Sequence, residues 1–217
     1  MPPATSPTKR LRDQACTKTV DPTLAEVFCD CSTDGSPVGF VTAHLFPTTK
    51  TVLWVQDRVS RRESGRPHLA GLPAQMDIIY VDVSRAVDLL WAMEEGLRCT
   101  ALGGVIGEIW GDPPALDFTA TKRLALRAEA HRVPAWLIRR GGTANLSAAR
   151  QRWRVNGLPS LNHPYDAQAP GQAQWQAELF RARRQTPGTW VVQHDDDGLH
   201  FDHGVDGHAP RDRHAYG

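Results

Sequence analysis

Residues 78–109 read IIYVDVSRAVDLLWAMEEGLRCTALGGVIGEI, and this stretch decides the class of fold. The run over 78–83 is rich in β-branched and aromatic residues, which predicts a strand. Ser84 follows as a good N-cap for a helix over 85–98. The apolar residues of this helix recur at helical spacing: Ala86, Leu89, Leu90, Met93 and Leu97. Residues 103–109 are apolar, glycine-rich and too short for a helix, so this βαβ order predicts parallel strands.

The same alternation of strand and helix continues on both sides of this unit. Further strands are predicted over 25–30, 51–56 and 134–140. A second helix is predicted over 119–132, with Asp117 or Thr119 as its cap. The connections between these segments are short. The sequence therefore predicts an α/β fold with a mostly parallel central sheet flanked by helices.

The last third of the chain changes character and predicts antiparallel structure. Extended runs occupy 150–155, 175–183 and 188–193, and the last two are joined by a turn containing Pro187. We interpret them as a C-terminal antiparallel hairpin.

The two ends of the chain differ in composition from the part between them. Residues 1–24 are rich in Pro, Thr, Lys and Arg without periodicity, which indicates a flexible arm. Residues 194–217 are rich in His and Asp and poor in apolar side chains, which predicts a disordered tail. The folded domain is thus predicted to span 25–193. No run of about 18 apolar residues occurs, so a cytoplasmic protein without a membrane span is expected.

Residues 28–41, FCDCSTDGSPVGFV, have the strand–turn–helix pattern of a phosphate-binding loop. Such a loop needs a lysine for the terminal phosphates, yet none occurs between Lys18 and Lys50. Asp30 and Asp34 would instead place negative charge beside the phosphates, at a cost of about a few kcal/mol each. The sequence therefore predicts a degenerate loop whose central positions are badly suited to ATP: Asp34, Gly35 and Ser36.

Three further features of the sequence have a chemical and a structural interpretation. Glu108, near a strand end, is either a Mg²⁺ ligand or a polar contact, and the polar contact is favoured. Cys29 and Cys31 have poor spacing for zinc, so packing of both side chains on one face is favoured. Trp54, Trp136 and Trp190 are predicted in the core, and Trp91 is predicted to cover the sheet edge. No catalytic motif, metal site or cofactor is predicted.

Arginine gives the clearest signal for binding. Arg150, Arg152 and Arg154 alternate and so share one face of a strand, with Trp153 on the opposite, inward face. Single-stranded DNA, a protein partner and a merely solvated face remain three open interpretations of the arginines near the C-terminal strands. These arginines are Arg139, Arg140, Arg150, Arg152, Arg154, Arg181, Arg183 and Arg184.

Several of these segments together resemble the ImuA family, the RecA-like accessory proteins of damage-induced mutagenesis in bacteria. The resemblance lies above all in LLWAMEEGLRC (89–99) and SAARQRWRV (147–155), and it extends over about 25–193. It implies a RecA-like core of the P-loop NTPase type.

The resemblance also implies a function and two protein partners. It implies a component of a translesion assembly in the SOS response, acting with an ImuB-type Y-family polymerase homologue and an error-prone paralogue of the replicative polymerase. The missing lysine and the two aspartates favour a non-enzymatic adaptor. An ATP-binding switch or ATPase and an SOS regulator of cell division remain the alternatives.

Overall fold

The computed structural model describes residues 22–46, 48–68, 71–72, 76–163, 165–166, 168–195 and 198–203. Its strands are β1 (Leu24–Phe28), β2 (Val52–Asp57), β3 (Ile78–Val83), β4 (Gly104–Trp110), β5 (Ala135–Arg140), β6 (Gln151–Leu158), β7 (Gln174–Ala182), β8 (Gly188–Asp195) and β9 (Gly198–His203). Its helices are α1 (Ser36–Leu45), α2 (Arg58–Ser64), α3 (Ala86–Gly96) and α4 (Phe118–His131).

The nine strands of the described residues belong to one sheet, in the order β3-β2-β4-β5-β1-β6-β7-β8-β9. Along this order, every pair of neighbouring strands from β3 to β6 is parallel. The strands from β6 to β9 are antiparallel. The α/β class, the mostly parallel sheet and the β7–β8 hairpin are therefore confirmed.

The sheet continues past the predicted end of the domain at residue 193. Residues 198–203 form β9, which pairs along its length with β8, so the prediction of a tail disordered from 194 is wrong for these residues. Leu199 and Phe201 alternate along β9 and pack against the core, which offsets the cost of ordering the strand. The predicted arm up to residue 21 and the tail from 204 lie outside the described residues.

The starts of the helices are fixed by caps that the sequence only partly predicts. Residues 57–75 carry no apolar periodicity, yet α2 begins at Arg58. The Asp57 side chain caps it by accepting a hydrogen bond from the Ser60 amide at 2.7 Å. Helix α3 begins after Arg85, and its N-cap makes no side-chain hydrogen bond, so Ser84 is not the cap. Asp117 does cap α4, accepting from the Ala120 amide at 2.7 Å.

Helices cover the two faces of the sheet unequally. Helix α1 packs on one face, over an aromatic core that contains Trp54, Trp136 and Trp153. Helices α3 and α4 pack on the other face, over a mostly aliphatic core. Gly107 of β4 permits this close packing, because a Cβ there would lie 2.2 Å from the Met93 sulfur. The predictions that Trp54 and Trp136 are core and that Trp153 points inward are confirmed, and Trp190 packs against the same core.

His44 of α1 makes this aromatic core sensitive to acid. Its ring lies 4.2 Å from the Phe40 ring and 5.0 Å from the Trp136 ring, measured between centroids. Its Nδ1 donates to the Phe40 carbonyl at 2.9 Å. Burial lowers the pKa of His44 to about 4, from an ordinary value of 6.5. The folded state therefore binds fewer protons than the unfolded state between these values, and stability falls as the pH drops through this range.

We expect His44 to reduce the free energy of unfolding by about 2–3 kcal/mol as the pH falls from near 7 to near 4. Urea unfolding of the wild type and of His44→Leu at both pH values measures this. Other groups titrate in both proteins, so the difference between their pH slopes isolates His44. Equal slopes for the two proteins would contradict the assignment.

Candidate functional site

The loop between β1 and α1, residues 29–35, lies at the carboxyl ends of the parallel strands. Strand β1 pairs with β5 on one side and β6 on the other, which puts this loop near the middle of the sheet. In open α/β sheets this is the edge at which ligands usually bind.

A buried ion pair lies beneath this loop. Arg140 Nε, at the end of β5, donates to Glu108 Oε1 of β4 at 2.7 Å. Arg140 and Glu108 are 2% and 1% exposed. Arg140 Nη1 also donates to the carbonyl oxygens of Ser32, at 3.1 Å, and Asp34. The loop thus directs two backbone carbonyl oxygens toward the Arg140 guanidinium. Carbonyl oxygens repel a phosphate, which needs N–H donors.

Further donors surround the Glu108 carboxylate. Its Oε2 accepts from Gln56 Nε2 at 2.8 Å and from Trp54 Nε1 at 3.4 Å. Burial raises the pKa of Glu108, while Arg140 and these donors oppose that shift. The contacts match the favoured polar-contact interpretation of Glu108, because N–H donors engage both carboxylate oxygens.

Asp34 places a carboxylate at the start of α1. Its Oδ1 accepts from the Ser36 amide at 2.8 Å and from the Ser36 hydroxyl at 2.7 Å. Its Oδ2 accepts from the Gly157 amide of β6 at 3.3 Å. The amino end of a helix is where proteins commonly bind phosphate. Here the chain supplies an anion of its own at that position.

The two cysteines of the loop do not act as a pair. Cys29 is partly buried, and its thiol donates to the Cys31 carbonyl at 2.9 Å. Burial raises the pKa of the Cys29 thiol to about 11. Cys31 is exposed, so the interpretation that both cysteines pack on one face is wrong, because β1 ends at Phe28 before them. Among the described residues, no group of three or more His, Cys, Asp or Glu side chains could hold a metal ion.

A second buried ion-pair cluster lies on the α4 face of the sheet. Glu26, in the middle of β1, is fully buried and accepts from Arg152 Nε at 2.7 Å and from the Ser147 hydroxyl at 2.9 Å. Arg139 Nη1 lies 3.6 Å from Glu26, and Arg139 also pairs with Asp112. The connection from β5 to β6 contacts this cluster through Ser147 and through the Ala144 carbonyl, which accepts from Arg152 Nη1 at 3.5 Å.

The predicted binding arginines therefore do not form one surface. Arg139, Arg140 and Arg152 are at most 4% exposed and are engaged by carboxylates, so their assignment to a DNA or partner surface is wrong. Arg150, Arg152 and Arg154 do share a face, but the central part of that face is interior. Acids within apolar strands, Glu26 in AEVF and Glu108 in GGVIGEI, were the sequence signal for this outcome, because a buried charge needs a partner.

The other predicted arginines lie nearer the surface. Arg154 is 41% exposed and pairs with Glu178. Arg150 donates to Glu129 of α4 at 2.6 Å. Arg181, Arg183 and Arg184 are exposed at the end of β7 and just after it. Binding by these residues stays a prediction.

Three large apolar side chains are exposed on α3 and α4. Trp91 is 66% exposed, Val87 is 51% exposed and Leu126 is 48% exposed. The prediction that Trp91 covers the sheet edge is wrong. Leu89, Leu90 and Met93 turn toward the sheet, which leaves Trp91 on the opposite side of the helix.

Within the ranges that the structure describes, no helix is long and apolar enough to cross a membrane.

Together these features define an α/β protein with a mostly parallel sheet, in which the loop after the first strand is held by the chain's own side chains. No protein-family model matches the chain. Two proteins named Protein ImuA, from two strains of Caulobacter vibrioides, are each 31% identical to it over 176 residues. The alignments cover 74% of this chain and 69% of each relative. The chain belongs to the ImuA family, as its resemblance to that family implied.

Proposed function

We propose that this protein is a non-enzymatic, RecA-like adaptor in damage-induced, error-prone translesion DNA synthesis. It acts in the bacterial cytoplasm with an ImuB-type Y-family polymerase homologue and an error-prone paralogue of the replicative polymerase. Membership of the ImuA family supports the involvement in mutagenesis. The two partners rest on the family resemblance.

The order of strands supports a RecA-like core of the P-loop NTPase type. Strand β1 is central, and the loop that follows it leads directly into α1. That connection is where such a core carries its phosphate loop. The proposed core keeps the position of the loop while its residues serve another purpose.

The contacts of Asp34 are the observation that carries the adaptor proposal. The Asp34 carboxylate engages the Ser36 amide that a phosphate would need, and Pro37 removes the next donor. Arg140 binds the carbonyls of the same loop from below. With no lysine in the loop, a nucleotide would have to displace a tethered anion and gain no cation in return.

We expect no binding of ATP with Mg²⁺ to the full chain at micromolar concentrations. Equilibrium titration with a labelled ATP analogue measures this, with Asp34→Gly as a comparison. The variant frees the Ser36 amide but restores no lysine. Its binding of ATP should therefore also be weaker than micromolar. A micromolar Kd for the wild type would overturn the proposal in favour of the ATP-dependent switch.

The adaptor role has a separate test in partner binding. We expect the full chain to co-purify with the ImuB-type protein of the same genome. We also expect deletion of its gene to reduce mutation after DNA damage. If mutation is unchanged and the ImuB-type protein is not retained, the regulator of cell division becomes the better interpretation.

A further inference from the structure

A small cavity opens at the carboxyl ends of β2 and β3, two strands away from the loop that follows β1. Its volume is about 250 Å³, and we call it the β2–β3 cavity. Its lining residues are Arg58, Arg61, Asp82, Val83 and Ser84. Pockets for drug-sized ligands measure about 300–1,000 Å³. The β2–β3 cavity therefore suits a small chemical group.

The pairing of β2 with β3 brings the lining residues together. Asp57 of β2 lies opposite Val83 of β3 in the parallel register. Arg58 and Ser84 come directly after this pair, so both leave the sheet at the same edge. Arg61 lies three residues after Arg58 on α2, a spacing that puts two side chains on one side of a helix. Both arginines can therefore contact the same ligand.

The β2–β3 cavity and its ion pairs contain three guanidinium groups and one carboxylate. Arg61 Nη1 donates to Asp82 Oδ2 at 2.9 Å, and Arg66 pairs with the same oxygen. Arg58 makes no hydrogen bond or ion pair with any residue that the structure describes. Three positive charges against one negative charge leave an excess of two.

The acids close to the β2–β3 cavity have other partners. Glu63 pairs with Arg62 at 2.6 Å, and Asp88 pairs with Arg85 at 2.7 Å. Asp57 is buried and accepts from two backbone amides, both at 2.7 Å. None of these three acids lines the cavity. The positive charge of its lining therefore remains available to a ligand.

The same lining offers free hydrogen-bond donors. Arg61 uses Nη1 for Asp82, which leaves its Nε and Nη2. The Ser84 hydroxyl makes no hydrogen bond to a described residue, and the guanidinium of Arg58 is exposed. Guanidinium groups form strong, charge-assisted hydrogen bonds with phosphate oxygens.

We propose that the β2–β3 cavity binds a phosphate monoester. Near pH 7 this group carries a charge of about −1.5 to −2 and has three strong acceptor oxygens. These values match the excess of two positive charges and the three donor side chains, Arg58, Arg61 and Ser84. A phosphate diester and a carboxylate carry one negative charge each and match less well. Asp82 is a positioning residue, because its ion pair holds Arg61 at the cavity.

Isothermal titration of the full chain with methyl phosphate tests this at low and constant ionic strength. We expect a Kd of about 0.1–1 mM. Dimethyl phosphate, which carries one charge, should bind at least tenfold more weakly. Arg58→Gln should weaken the binding of methyl phosphate roughly tenfold, because it removes charge-assisted hydrogen bonds. Arg58 is exposed, so the fold should survive, and a urea unfolding curve checks that.

Arg62→Gln is the matched control on the same helix. Arg62 is exposed and paired with Glu63, and it does not line the β2–β3 cavity. This variant should bind methyl phosphate like the wild type. Three results would each overturn the proposal: equal weakening by the two variants, equal affinity for dimethyl phosphate, or no binding of methyl phosphate at millimolar concentrations.

Two sources of a phosphate monoester are distinguished with a short labelled oligonucleotide, made with and without a 5′-phosphate. If the 5′-phosphate tightens binding and Arg58→Gln removes that gain, the ligand is the end of a DNA strand. This source rests on the proposed function. If the 5′-phosphate has no effect while methyl phosphate binds as expected, the ligand is a small phosphorylated molecule.

Co-purification separates the fate of the β2–β3 cavity from that of the adaptor function. If the wild type binds methyl phosphate but does not retain the ImuB-type protein, the adaptor proposal fails alone. If the wild type retains that protein and does not bind methyl phosphate, the proposal for the cavity fails alone.

Discussion

Replacing Arg140 by methionine is expected to lower the free energy of unfolding by about 3–5 kcal/mol. The change leaves the buried Glu108 carboxylate without its cation and removes the donor that holds the Ser32 and Asp34 carbonyls. Urea unfolding measures the loss. A loss of less than about 1 kcal/mol in the free energy of unfolding would mean that water or another cation replaces the guanidinium.

The pH dependence of this variant identifies the cause of its instability. Burial already raises the pKa of Glu108, and removal of Arg140 should raise it further. The folded state then binds more protons than the unfolded state, so stability falls as the pH rises through the raised pKa. The loss of stability of Arg140→Met relative to the wild type should accordingly be smaller near pH 5 than near pH 8. Adding Glu108→Gln removes the charge, and this double variant should lose that dependence.

Truncation of two tryptophans should lower stability to very different extents. Trp136→Ala is expected to cost about 3–5 kcal/mol of stability, because its ring is fully buried against Phe40 and His44. Trp91→Ala is expected to cost less than about 0.5 kcal/mol, because that ring is 66% exposed. Unfolding curves of both variants provide the comparison. A loss of about 2 kcal/mol for Trp91→Ala would show that its ring packs against the protein.

The Trp91→Ala variant also tests whether the exposed apolar side chains of α3 and α4 contribute to partner binding. Exposed tryptophans are frequent hot spots in protein interfaces. Under the adaptor proposal, Trp91→Ala should reduce recovery of the ImuB-type protein at unchanged stability. Leu126→Ala is the matched change on α4. Full recovery with both variants would move the interface to another surface.

The sequence was most informative where one periodicity dominated a segment. The strand over 78–83 and the helix that follows were predictable because their apolar residues obey a single period. Helix α2 was not predictable, because it has no buried apolar side chain that would reveal a helical period. Ser60 is its one buried side chain, and the Asp57 cap alone marks its start. Strand β9 was hidden by His and Asp on its outer face, although Leu199 and Phe201 alternate beneath them.

The candidate site was predictable in its position and only partly in its chemistry. The location of the loop after β1 and its lack of a lysine could be read directly from the sequence. The direction of Arg140 could not, because it depends on which strands flank β5. The alternation of Arg150, Arg152 and Arg154 gave the shared face correctly. It could not show that Glu26 lies on the same face, because β1 and β6 are distant in the sequence and become neighbours only in the folded sheet.

The two arginines that end β5 also specify how that strand is aligned. Successive residues of a strand point to opposite faces, so Arg139 meets Glu26 on one face and Arg140 meets Glu108 on the other. The rest of the strand is apolar and offers few marks to distinguish one alignment from the next. A slip of one residue would move one guanidinium into the place of the other, on the opposite face, and would take from Glu108 or Glu26 its partner on β5. The two arginines therefore favour one alignment of β5 between β4 and β1.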